Sequence, residues 1–342
     1  MKILIIGGTR FLGPHFVVAA LARNHEITLF NRGNHPAPLE VEIIRGDRHR
    51  DLNKLQGRTW DVVVDTCCYL PRTILSSAQL LSNSVDRYVL ISSQSVYADF
   101  SVCGIDESSP LQSLTSDQIE RANNIDSSGQ VSAVTYGEMY GGLKALSEQA
   151  VEGVMPDRVL TIRPGVIVGP GDHLDRFTYW VMRVARGGEV LAPGWPDRTI
   201  QFIDVRDLAE WTVRMIEKKS SGIYNATGMP DTLTMQSLLN VCKKVSDSNA
   251  YFTWVDDQFL LQEKVEGWSE MPLWFPQDDA FKGFMFISIE KARSAGLTFR
   301  PLSETVRSTL DWYRSSKASR ELKAGIDIAK ERILLRKWND RH

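Results

Sequence analysis

Short runs of apolar and β-branched residues alternate along the first half of the chain with longer stretches whose apolar positions recur every three or four residues. The short runs cover residues 2–6, 26–30, 41–45, 60–65, 87–92 and 158–168. Their apolar residues are mostly consecutive rather than alternate, which predicts strands buried on both faces of a parallel sheet. A helix is expected from about Pro14, between the first two strands. Strand, glycine-rich turn, helix and strand in that order make up the unit of a doubly wound, dinucleotide-binding α/β domain.

From about Val168 the rhythm changes, broken by Gly169-Pro170-Gly171, Gly187-Gly188 and Pro193-Gly194-Trp195-Pro196, while tryptophans gather between Trp180 and Trp312. A chain of 342 residues exceeds the size at which one core usually keeps growing. We therefore expect a nucleotide-binding domain over 1–168 plus roughly 201–227, a smaller substrate lobe over 169–200 and 228–315, and a polar, solvated helical tail over 316–342. With 43% hydrophobic residues, 24% charged residues and a net charge of -2, the totals favour a small-molecule partner over a nucleic acid or a membrane surface. The cysteines Cys67, Cys68, Cys103 and Cys242 follow no metal-ligand spacing and are expected as reduced, buried thiols, with no metal bound. The opening apolar run stops at Gly7, too early for a signal segment or a membrane span, so a cytoplasmic protein is expected.

Candidate chemistry starts at that first turn. In Gly7-Gly8-Thr9-Arg10-Phe11-Leu12-Gly13 the glycines let backbone N–H groups approach a pyrophosphate at a helix N-terminus. The second strand ends in Phe30-Asn31-Arg32-Gly33, without the carboxylate that usually accepts hydrogen bonds from the adenosine ribose. Arg32 and Arg10 offer guanidinium forks suited to a phosphate, so NADP(H) is favoured, with NAD(H) as the alternative. Asp47 and Arg48, after the third strand, are placed near the adenine, and Thr66 and Cys67 follow the fourth strand beside the cofactor.

A second group of residues suits proton transfer. Tyr140-Gly141-Gly142-Leu143-Lys144 begins a helical pattern and sets the phenol and the ammonium on one face at i and i+4. A nearby ammonium favours the phenolate, the tuning needed by a proton-transfer partner of hydride transfer, and the same lysine can hold the nicotinamide ribose. Ser93, in Ile91-Ser92-Ser93-Gln94-Ser95-Val96-Tyr97, sits at the carboxyl end of a strand, where ligands of open α/β sheets bind.

Taken together, the turn, Ser93 and the Tyr140/Lys144 pair resemble the short-chain dehydrogenase/reductase superfamily, specifically its extended branch of NAD-dependent epimerases and dehydratases. Arg163-Pro164, Gly169-Pro170-Gly171, the run Gln201 to Leu208, Gly222-Ile223-Tyr224-Asn225, Ala292 to Leu297 and Arg300-Pro301-Leu302 are similar to that branch in the same order, over about residues 1–315. The resemblance implies a Rossmann core, a bound nicotinamide dinucleotide contacted also by Lys144 and Pro164, and Ser93, Tyr140 and Lys144 as polarising serine, acid/base and supporting lysine. It also makes a homodimer an expectation. Arg10 in the glycine turn resembles atypical members, the isoflavone reductase-like and chloroplast stem-loop RNA-binding-like proteins. Val166 stands where nucleotide-sugar enzymes carry an asparagine, and Asp65-Thr66-Cys67-Cys68 replaces the usual small-residue stretch.

The expected reaction is reduction or oxidation of a carbonyl or hydroxyl of a small organic molecule. The rivals are a sugar-nucleotide epimerase or dehydratase that retains its cofactor and a dinucleotide- or RNA-binding protein without turnover. Gln94, Tyr69, Arg176, Trp195, Arg198 and Gln201 are the candidate substrate contacts, because they follow strand ends or lie in the loop-rich lobe. Trp268, Trp274 and Phe275 form an aromatic wall, a lid or the core of that lobe.

Overall fold

The computed structural model of the chain describes residues 1–37, 39–126, 131–229, 233–276, 279–315 and 321–341. The first half runs β1 (Lys2–Ile6), α1 (Leu12–Leu21), β2 (Glu26–Asn31), β3 (Glu42–Arg45), β4 (Trp60–Asp65), α2 (Pro71–Leu81), β5 (Val85–Ile91), α3 (Ser116–Asn124), α4 (Ala133–Tyr136), α5 (Tyr140–Val154) and β6 (Val159–Pro164). Then come β7 (Val166–Val168), α6 (Arg176–Ala185), β8 (Glu189–Pro193), β9 (Phe202–Asp204), α7 (Val205–Glu217) and β10 (Gly222–Ala226). The remainder is α8 (Met235–Ser246), β11 (Tyr251–Val255), α9 (Asp257–Gln262), α10 (Glu290–Ser294), α11 (Leu302–Ser315) and α12 (Ile328–Asn339).

Seven strands form one parallel sheet in the order β10-β6-β5-β4-β1-β2-β3. In β1 the odd positions Ile3 and Ile5 pack with Phe16, Val17, Leu208 and Trp211 from α1 and α7. Its even positions Leu4 and Ile6 pack on the other face with Ile74, Ala78, Leu81 and Val151 from α2 and α5. Both faces are covered, which is why the strands read as unbroken apolar runs; each aliphatic side chain so buried contributes roughly 1.5–3 kcal/mol. The strand order reverses between β1 and β4, which opens a crevice at their carboxyl ends.

Three local readings change. The run over 158–168 is two strands, because the chain leaves the large sheet at Gly165 and β7 pairs with β9 instead. A Cβ at Gly165 would stand 2.3 Å from Thr227 Oγ1, so the bend needs a glycine. The tail does not lie solvated: α12 buries Leu334 and Leu335 in the second lobe, and its Glu331, 1% exposed, pairs with Arg183 at 2.7 Å. Cys103 is exposed rather than buried, whereas Cys68 and Cys242 are buried and all four thiols are free.

Several motif residues prove to be scaffolding. Arg163 of β6 pairs with Glu148 of α5 at 2.6 Å and donates to the Tyr97 hydroxyl at 3.1 Å; that hydroxyl donates to Asn225 of β10 at 2.5 Å. Ser92 donates to the same glutamate. The network clamps the end of β5 between β6, α5 and β10. Likewise Arg300 pairs with Asp207 of α7 at 2.7 Å, and Thr305 donates to Asp204 at 2.7 Å, which fastens α11 to the sheet domain.

Candidate active site

A cavity of about 660 Å³ runs along the carboxyl ends of β1, β2, β4, β5 and β6. Gly7, Thr9, Arg10, Phe11, Leu12, Asn31, Arg32, Asp47, Arg48, Thr66 and Cys67 line it, as do Ser93, Gln94, Tyr69, Tyr140, Lys144, Pro164 and Arg176. Gly13, Trp195, Arg198 and Gln201 lie outside that lining.

The glycine turn is built for close approach. Gly7 and Gly8 sit at φ 96° and 80°, and a Cβ at Gly13 would stand 2.4 Å from the carbonyl carbon of Gly8. Gly13 thus acts by letting α1 start directly on the turn. No side chain caps α1 and no acidic residue stands in its first turn, which leaves backbone donors and the positive end of the helix dipole for an anion. Thr66 fixes the turn by donating to the Ile6 carbonyl at 3.0 Å and accepting the Gly8 N–H at 3.2 Å. These residues fit the pyrophosphate of a dinucleotide.

At the end of β2 the Asn31 amide donates to the Gly7 carbonyl at 3.2 Å and accepts the Gly33 N–H at 2.9 Å, so it ties the two turns together. Arg32 is exposed and Arg10 half-buried at the same end of the cavity. Arg48 differs from its expected role. Its guanidinium donates to both carboxylate oxygens of the buried Asp65, at 2.8 and 2.7 Å, and to Ser77 at 3.0 Å. Burial pushes Asp65 up, but Arg48 outweighs it and holds the carboxyl below the usual range. Asp47 accepts the His49 N–H at 2.8 Å and closes its own turn. Burial raises the Cys67 thiol, which keeps it neutral.

Further along the cavity Ser93 accepts the Ser95 N–H and donates to the Ser95 hydroxyl, both at 3.1 Å, capping a single 3-10 turn after β5. Tyr140 is the first residue of α5, with its ring centre 6.3 Å from that of Tyr69, which stacks on Tyr136 at 5.9 Å. Burial raises the Tyr69 phenol, so it lines the cavity as a neutral ring. Lys144, 3% exposed, donates to the carbonyls of Cys68 at 2.9 Å and Ile91 at 2.6 Å. Its ammonium is thus anchored between the ends of β4 and β5, a restraint that helical spacing does not reveal. Gly141 brings the start of α5 onto the serine turn: a Cβ there would lie 1.9 Å from the Ser95 carbonyl oxygen.

Of the substrate candidates, Gln94 is buried and donates to the Phe284 carbonyl at 3.3 Å. Arg198 pairs with Asp257 at 2.5 Å and lies 4.0 Å over the Trp195 ring; Gln201 donates to the carbonyls of Gly228 and Ile287 at 2.8 and 2.9 Å. Those three brace the second lobe. The aromatic group splits, with Trp274 fully buried in the core and Trp268 on the cavity. Asp172 and His173 also line the cavity and were not anticipated, although the break at Gly169-Pro170-Gly171 was visible just ahead of them. Burial pushes the Asp172 carboxyl up to about 6, while burial and the charge of Arg10 hold the His173 imidazole down to about 4.

The model of the NAD dependent epimerase/dehydratase family matches residues 3–227. The dTDP-4-dehydro-6-deoxy-D-allose reductase of Streptomyces bikiniensis is 27% identical over 66% of this chain and 76% of its own length. The chloroplast stem-loop binding protein of 41 kDa b of Arabidopsis thaliana is 23% identical over 98% of this chain and 84% of its own. Among solved structures, the UDP-glucuronic acid 4-epimerase of Bacillus cereus in complex with NAD superposes with a TM-score of 0.65 at 17% identity, covering 93% of this chain and 100% of that one. A human epimerase family protein with NADPH superposes with a TM-score of 0.58 at 18% identity, covering 91% and 99%.

Proposed function

Because the chain belongs to the NAD dependent epimerase/dehydratase family, as an enzyme of the short-chain dehydrogenase/reductase type, we propose that it interconverts a carbonyl and a hydroxyl of a small organic molecule with a nicotinamide dinucleotide. The observation that carries this reading is one continuous cavity holding the uncapped glycine turn together with Ser93, Tyr140 and Lys144. The reductase name of the Streptomyces relative and the NAD and NADPH of the superposed structures support it. The nicotinamide, when bound, supplies or accepts the hydride.

This chain's residues handle the proton and the orientation. Tyr140 gives its phenolic proton to the oxygen of a carbonyl being reduced, or takes it from a hydroxyl being oxidised. Ser93 turns its hydroxyl from Ser95, which it meets at 3.1 Å, toward the same oxygen. Lys144 stands one helical turn beyond Tyr140, its ammonium anchored on the Cys68 and Ile91 carbonyls, and can hold a ribose hydroxyl. Arg10 and Arg32, flanking a β2 end that bears Asn31 instead of an acid, favour NADP(H) over NAD(H). A nucleotide-sugar ketone is the second substrate reading. It rests on the name of the 27% identical reductase.

The test is a screen of carbonyl and sugar-nucleotide compounds by NADPH absorbance, with Tyr140→Phe as the control. Turnover should fall about 100-fold or more in that variant, the range expected for loss of a general acid. Undiminished turnover in Tyr140→Phe refutes the assignment.

A further inference from the structure

The second lobe adds Arg176, Trp268 and Phe284 to the cavity. Arg176 opens α6, and its guanidinium carbon stands 4.4 Å from the centre of the Trp268 ring. Trp268 is held in the left-handed region at φ 67°, a conformation that bulky residues take only under constraint. Its backbone N–H lies 3.2 Å from the carbonyls of Met271 and Trp274, while its ring stacks on Phe275 at 4.9 Å and meets Phe284 edge-on at 5.8 Å. The indole is therefore braced from behind and presents a fixed face to the guanidinium.

Arg176 differs from five other enclosed arginines. Arg48, Arg163, Arg183, Arg198 and Arg300 each pair with a carboxylate at 2.5 to 2.7 Å. Among the described residues Arg176 forms no ion pair, and its stack on Trp268 orients the guanidinium while leaving its N–H fork without an acceptor. Asp172 acts on it through space, but that carboxyl accepts the N–H groups of Leu174 at 2.9 Å and of Phe177, which turns it to the start of α6. His173, beside it in the lining, is kept neutral by burial and by Arg10 and so adds no competing charge. Burial weighs against the charge on Arg176, a cost that an anion entering the cavity would offset.

We propose that the substrate carries an anionic group, a carboxylate or a phosphate, which pairs with Arg176 in front of Trp268 while its carbonyl or hydroxyl faces Tyr140. The proposal rests on the oxidoreductase reading above and adds the charge class of the substrate.

The test is calorimetric titration of the full chain saturated with NADPH, using glucose, glucuronate, glucose 6-phosphate and inorganic phosphate as probes. Glucuronate or glucose 6-phosphate should bind about tenfold or more tightly than glucose, as expected for a charge-assisted pair. Which of the two is favoured distinguishes carboxylate from phosphate. Arg176→Gln should abolish the preference and Arg176→Lys should retain part of it, with NADPH affinity and unfolding temperature unchanged in both. Equal binding of charged and neutral sugars, binding of none of them, or a preference that survives Arg176→Gln overturns the proposal. Failure of the oxidoreductase reading is separate and shows as absence of NADPH turnover by the unaltered chain across the carbonyl screen.

Discussion

Gly141→Ala asks whether the serine turn and the tyrosine helix must touch. The added Cβ would lie 1.9 Å from the Ser95 carbonyl oxygen and 2.6 Å from Gln112 Oε1. Carbon and oxygen in contact stand about 3.3 Å apart, so α5 and the Ser93–Ser95 turn must separate by roughly 1.4 Å. That movement pulls Tyr140, one residue away, from Ser93. Displacement on the order of 1 Å in a reacting constellation costs about 100-fold in rate. The stability effect is mixed: overpacking costs about 1–3 kcal/mol, and replacing a helical glycine returns about 1 kcal/mol. Gly153→Ala in the same helix is the matched control, because nothing lies within 4 Å of its Cβ position. It should gain about 1 kcal/mol in urea unfolding and leave turnover alone. The assay is NADPH oxidation with a carbonyl substrate from the screen, together with NADPH affinity by fluorescence. We expect Gly141→Ala to lose about 100-fold in kcat while holding NADPH within about threefold. In a Tyr140→Phe background the same change should cost little more, since it acts through the tyrosine. A folded Gly141→Ala protein with full kcat refutes the reasoning.

Three other outcomes are expected. Arg32→Glu should reduce the ratio of NADP to NAD affinity by about tenfold, read by titration at fixed ionic strength, because it removes an exposed guanidinium and adds charge where the ribose phosphate would sit. His173 and Asp172 should leave opposite marks on stability against pH. Neutral His173 stability is lost as pH falls from about 6.5 through about 4, and His173→Gln should flatten that limb; Asp172, raised to about 6, costs stability as pH rises from about 4 through 6, and Asp172→Asn should remove that loss. Arg163→Met alone should destabilise by about 3–5 kcal/mol in urea unfolding, since it strands the buried Glu148, and Arg163→Met with Glu148→Leu should recover much of it.

The large sheet was legible because burial on both faces demands consecutive apolar residues, and Ile3–Ile6 of β1, Leu29 and Phe30 of β2 and Val62–Val64 of β4 supply them. The glycine turn was legible for a related reason: residues at φ 96° and 80°, and a helix start packed on backbone, admit glycine and little else. Ser93, Tyr140 and Lys144 could be named from their order and spacing, and the fold sets them on one cavity.

What the sequence could not distinguish was a polar residue facing a ligand from one facing its own chain. Arg48, Arg176 and Arg198 read alike as loop guanidiniums, yet Arg48 is bound to Asp65, Arg198 to Asp257, and Arg176 alone of the three lines the cavity without a carboxylate partner among the described residues. Those partners lie 17 and 59 residues away along the chain, beyond any local pattern. The same held for α12, whose polar composition hid a buried ion pair with Arg183, 148 residues distant. Periodicity and backbone constraint are local and are written into the sequence directly. The pairing of buried charges depends on which distant elements meet, and that was decided by the tertiary structure alone.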